Sequence, residues 1–204
     1  MQKIDKILFG TIVGVFFLFL FSWIAIGTGF FFFKEHGMPF VFAAGLIAGI
    51  IADLFLLKRL LANLFDLQYL LLAGFYILCN IFIYGTFMGF PVFNLAMGLV
   101  AGYYTGRRIT VKNIVPPQKE KLIRNVSFFS TLIMLMICIS SAFIALREKT
   151  IGEELQGMLG LGFEPRKGLI VTGIIIGGAT LITAQYYFTR LTLIKTIKYG
   201  SPVS

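Results

Sequence analysis

Long apolar runs alternate with short polar links along nearly the whole chain. The runs are Ile7–Phe33, Pro39–Leu57, Gln68–Phe87, Pro91–Thr105, Val126–Leu146 and Gly168–Tyr187. An α-helix rises about 1.5 Å per residue, so roughly 20 apolar residues cross a hydrocarbon core of about 30 Å. Stretches such as Val15–Phe21 lack the period-two alternation of a transmembrane β-strand. Helices also satisfy their own backbone polar groups, which lipid cannot do. The pattern predicts an all-α integral membrane protein, one transmembrane domain over residues 1–204 with about six spans. The fourth run is short, which suits either a helix that begins earlier, near Met88, or one whose end is surrounded by protein rather than lipid. The first run is too long for a signal-peptide core and reads as an uncleaved span.

Within these runs a motif recurs. Gly37-Met38-Pro39 leads into Gly45-Leu46-Ile47-Ala48-Gly49, and Gly89-Phe90-Pro91 leads into Gly98-Leu99-Val100-Ala101-Gly102. A looser third copy runs from Gly162 and Pro165 into a span carrying Gly173 and Gly177. Proline fits the first turn of a helix, where its missing N–H has no partner to lose. The glycine before it permits a sharp reversal. Small residues four apart let a second helix press close. The reading is a set of tandem two-helix hairpins in parallel orientation, with Gly45, Gly49, Gly98, Gly102, Gly173 and Gly177 as packing positions. The repeat turns are Gly37, Pro39, Gly89, Pro91, Gly162 and Pro165.

Composition agrees with membrane residence. Of 204 residues, 58% are hydrophobic and 13% charged, against about 45–50% and about 25% in soluble domains. The net charge of +9 does not point to nucleic acid, because the bases sit in the links. Thirteen of the eighteen lysines and arginines fall on one side of the alternation, Lys58, Arg59, Arg107 and Arg108 among them. Such a bias marks the cytoplasmic side. Both termini are therefore expected in the cytoplasm of a multi-pass protein of the plasma membrane. The basic inner surface is expected to attract anionic lipid.

Chemistry-bearing residues are few. Asp53 is the one acid inside a span; it reads as an ion-pair partner of Lys58, as a proton- or cation-handling group, or as a residue simply exposed at the interface. Asn80 and Asn94 are candidates to bridge helices or to contact a solute, and Gln185 and the Ser140-Ser141 pair read as bridging groups too. His36 lies in a short link beside Glu35. Ile151, Leu155, Met158 and Leu159 share one helical face, which predicts a short amphipathic surface helix over 151–160. The link Gly106–Asn125, with Pro116-Pro117, is the expected hinge. Cys79 and Cys138 stand apart from any metal-ligand spacing. No metal site or cofactor is expected. No P-loop, nucleophile elbow or paired-carboxylate motif is present, which points away from an enzyme. Two functional classes remain. One is a transporter or solute-binding membrane subunit. The other is a non-catalytic structural or accessory subunit, packed against a membrane protein partner or a second copy of itself.

Overall fold

The computed structural model describes residues 3–32, 38–87, 90–148, 150–160 and 162–200. Gly37, Gly89 and His36 lie outside the described residues. Among the described residues eight α-helices follow in chain order: α1 (Lys3–Phe32), α2 (Met38–Ala52), α3 (Lys58–Ala62), α4 (Tyr69–Thr86), α5 (Leu95–Val111), α6 (Gln118–Arg147), α7 (Ile151–Leu159) and α8 (Lys167–Tyr199). A π-helical turn, Asp53–Leu57, joins α2 to α3, and a 3-10 turn, Pro91–Asn94, opens α5. No strand occurs among the described residues.

Among the described residues five helical stretches are long and apolar enough to cross a membrane, compatible with a membrane-embedded protein. They carry exposed side chains such as Phe40, Phe55 and Leu70, as expected where lipid replaces water as the solvent. The fourth run is the one that departs from six spans. Its α-helical part has 17 residues, begins after Asn94 and continues past Thr105 through Arg107 and Arg108 to Val111. Its buried face is glycine-rich rather than greasy, because it is pressed against another helix instead of lipid. The link to α6 is correspondingly short. α5 ends at Val111 and α6 starts at Gln118, so the hinge expected over Gly106–Asn125 shrinks to six residues. α8 likewise runs twelve residues beyond Tyr187.

The chain divides into two compact units, Met1–Tyr69 and Leu70–Pro202. In the first, α2 packs back on α1. A Cβ added at Gly45 would lie 2.8 Å from the carbonyl oxygen of Phe21 and 2.9 Å from Ser22 Cα. One added at Gly49 would lie 2.9 Å from Leu18 Cα. As α2 ascends in number its partner on α1 descends, so this seam is antiparallel.

The second unit uses the same spacing differently. α5 packs on α8, not on the preceding α4. Gly98 faces Gln185 and Thr189, Gly102 faces Thr189, Thr192 and Leu193, and Gly106 faces Leu193 and Thr196. Both numbers rise together, so this seam is parallel. α6 packs against α8 in the opposite sense, with Ser130 at Gln185 and Cys138 near Gly178. Gly173 and Gly177, expected at a helix contact, have no described atom within 4 Å of a Cβ position. They lie on the N-terminal half of α8, beyond the reach of α5.

The turn residues also differ among the copies. Pro39 stands in the first turn of α2 and Pro91 opens the 3-10 turn. Pro165 lies two residues before α8 begins, and Gly162 has open space around it. The amphipathic segment is α7, closed by Gly160 at φ 61°, a left-handed cap that glycine adopts without strain.

Candidate functional site

Polar side chains of the second unit converge on one interior point. On α4, Tyr76, Cys79 and Asn80 share a buried face. On α6 the buried positions are Ser127, Ser130, Met134 and Ile137, spaced three, four and three apart, which keeps them on one helical stripe. On α8 they are Ile170 and, further along, Gln185, Thr189 and Leu193 at intervals of four. Asn94 closes the 3-10 turn that leads into α5. Sequence spacing alone places each set on a face. Helix packing brings the faces together.

The hydrogen bonds form a connected chain. Tyr76 Oη and Ser130 Oγ are 2.7 Å apart. Gln185 Nε2 donates to Ser130 Oγ at 2.7 Å and to Tyr76 Oη at 3.1 Å. Thr189 Oγ1 lies 3.1 Å from Ser130 Oγ and donates to it. Asn80 Nδ2 donates to the Tyr76 carbonyl at 2.9 Å. Asn94 Nδ2 donates to the Asn80 carbonyl at 2.8 Å and to Asn80 Oδ1 at 3.0 Å. Asn80, Asn94, Ser127, Ser130, Gln185 and Thr189 are at most 2% exposed, so water is shut out of the cluster. Gly98 makes the arrangement feasible: a methyl there would stand 2.8 Å from both Gln185 Nε2 and Thr189 Oγ1.

The chain of bonds is incomplete. Asn94 Oδ1, Gln185 Oε1 and Ser127 Oγ are buried without a hydrogen-bond partner among the described residues. Each such atom costs about 1–3 kcal/mol of desolvation unless something satisfies it. Two of the three are amide oxygens, so the cluster has spare acceptors rather than spare charge.

Its depth is uneven. From Gln185 to the start of α8, and from Ser130 to the end of α6, is about 25–27 Å at 1.5 Å per residue. From Gly98 back to Pro91 is only about 10–12 Å by the same rise. The N-terminal half of α8 and the C-terminal half of α6 therefore extend past the α4–α5 turn, leaving Asn94 close to the shallower side.

Of the site residues expected from sequence, Asn80 and Asn94 are thus brought into direct contact. Asp53 belongs to the first unit, apart from this cluster. Lys58 and Arg59 are exposed. Arg107 and Arg108 are not part of a surface: they are 1% and 5% exposed. Gly106 lets Thr196 approach α5, and the end of α8 then covers the following turn, with an Arg107 guanidinium nitrogen 3.3 Å from a Cβ position at Gly200. Tyr76, Ser127, Ser130 and Thr189 were not legible as site residues. Their one sequence signal is polar residues repeating at three or four inside apolar helices.

Among the described residues no group of three or more His, Cys, Asp or Glu could hold a metal ion. Comparisons of the chain with protein-family models, with curated proteins and with solved structures found no match.

Proposed function

We propose that this protein is a small solute-handling protein of the plasma membrane, a transporter or solute-binding subunit, with both termini in the cytoplasm. Its recognition site is the polar cluster between α4, α5, α6 and α8. The observation that carries this reading is the set of buried acceptors, Asn94 Oδ1, Gln185 Oε1 and Ser127 Oγ, without donors in an otherwise apolar bundle. A small neutral solute rich in N–H or O–H groups would complete the set. Asn94 lies nearest the shallow α4–α5 turn, which is the short way in from the outer face. The cluster as it stands is closed, so entry requires α5 to move relative to α6 and α8.

The accessory-subunit reading has less support. The Gly45/Gly49 and Gly98/Gly102 seams are occupied within the chain, by α1 in one unit and α8 in the other, which leaves Gly173 and Gly177 on α8 as the open small positions a partner helix would use.

Native mass spectrometry of protein gently extracted from its own membrane tests the proposal. A reproducible non-lipid small molecule, retained by the parent and lost from both Gln185→Leu and Asn94→Leu while both variants remain folded, is the expected result. A stoichiometric protein partner with no small molecule would replace this reading with the accessory one.

A further inference from the structure

The first unit carries a carboxylate in a place that packing alone does not explain. Gly45, Gly49 and Asp53 follow one another at intervals of four, and all three face α1. Gly98, Gly102 and Gly106 have the same spacing in the second unit, and there the third place is a glycine. In the first unit the Asp53 side chain fills that place and lies over Gly14, whose Cβ position is 3.4 Å from Asp53 Oδ2 and 3.9 Å from Oδ1. Oδ1 is sealed from solvent and has no hydrogen-bond partner among the described residues. The π-helical turn Asp53–Leu57 begins at this residue. Such turns are rare and occur disproportionately at functional sites.

The charges around it do not neutralise it. On the facing helix the adjoining glycines are Gly10 and Gly14. The charged residues of that helix, Lys3, Asp5 and Lys6, begin about 12 Å further along it at 1.5 Å per residue. On its own side, Lys58 and Arg59 are exposed on α3, and Oδ1 receives no bond from Lys58. The ion pair expected from the sequence is thus not what occupies this oxygen.

We infer that Asp53 is a binding site for a small cation, a proton or an alkali metal ion, held in the α1–α2 seam. The Asp53 side chain is half-buried, and its sealed Oδ1 faces an apolar seam with no partner to offset the loss of water. A proton from water adding to Oδ1, or an alkali ion coordinating it, removes that charge. Gly14 leaves the carboxylate room on the α1 side, and the widened turn at Asp53–Leu57 offsets the following helix. Asp53 belongs to the first unit, so this site stands or falls independently of the polar cluster in the second.

The test is infrared spectroscopy of the full chain in bilayers, comparing the parent with Asp53→Asn and Asp53→Gly at neutral pH. Spectra are taken first in buffer free of sodium and potassium, then with each salt added. Asp53→Gly reproduces the all-glycine spacing of the second unit and should fold even if Asp53→Asn does not. A protonated-acid carbonyl band present in the parent, absent from the variants and indifferent to salt identifies the proton. A carboxylate band that shifts with sodium or potassium, and is missing from the variants, identifies an alkali ion. Superimposable spectra, or an ionised Asp53 band that no added cation moves, overturn the inference.

Discussion

Replacing Gly102 by alanine adds one methyl group at the tightest point of the α5–α8 seam. That methyl would overlap the carbonyl oxygen of Thr189 and stand 3.1 Å from both Leu193 N and Thr192 Cβ. Two of these three atoms are backbone, so no rotamer change relieves the overlap. Overpacking costs about 1–3 kcal/mol, and a clash against helix backbone belongs in the upper half of that range. Alanine's better helix propensity returns about 0.8–1.0 kcal/mol. The net loss is therefore about 1–2 kcal/mol, a factor of roughly 5–30 in the folded population. Gly173→Ala on α8 is the matched control, since its added methyl meets no described atom within 4 Å. It should stabilise by about 0.5–1 kcal/mol through reduced backbone freedom. The assay is thiol labelling of Cys79, which is 5% exposed within the second unit, in a Cys138→Ala background under mildly denaturing mixed micelles. Labelling should accelerate in Gly102→Ala and slow in Gly173→Ala. Equal rates in the two variants, or a Gly102→Ala protein that labels no faster than its parent, would refute the packing argument.

Two further outcomes are expected. Tyr76→Phe removes one hydroxyl from the cluster but leaves Gln185 Nε2 its 2.7 Å bond to Ser130; the same labelling assay should show a loss of about 0.6 kcal/mol, the average for polar contacts between membrane helices, and no more than about 1.7 kcal/mol, and no measurable loss would mean that the cluster is not closed. In a cysteine-free chain on intact cells, a cysteine at the exposed Phe163 should react with a membrane-impermeant maleimide, while one at the exposed Asn113 reacts only after lysis; the reverse pattern would invert the proposed orientation.

Most of the local structure was legible in the amino-acid order. Hydrophobic run length located the long apolar helices to within a few residues at the ends that meet polar links, as at Tyr69–Thr86. The helical ends that continue into polar sequence were not visible to hydropathy. α6 begins eight residues before Val126, and α8 runs twelve past Tyr187, where Leu193 and Thr196 pack against Gly102 and Gly106 of α5. Spacing likewise identified Gly45, Gly49, Gly98 and Gly102 as small positions. It could not name what they face, since a glycine pair four apart accepts any close helix in either direction.

By itself, then, the sequence determined the helical class, the apolar lengths and the faces on which small and polar residues fall. These follow from local periodicity and from the cost of leaving backbone polar groups unpaired in lipid. Tertiary structure alone decided the partners. It paired Gly49 with α1 in an antiparallel seam and Gly102 with α8 in a parallel one, enclosed Arg107 and Arg108, and joined Tyr76, Asn80, Asn94, Ser130 and Gln185 into one cluster. Contacts across as many as 109 residues of chain depend on which helices pack, and a periodicity of three or four carries no record of that choice.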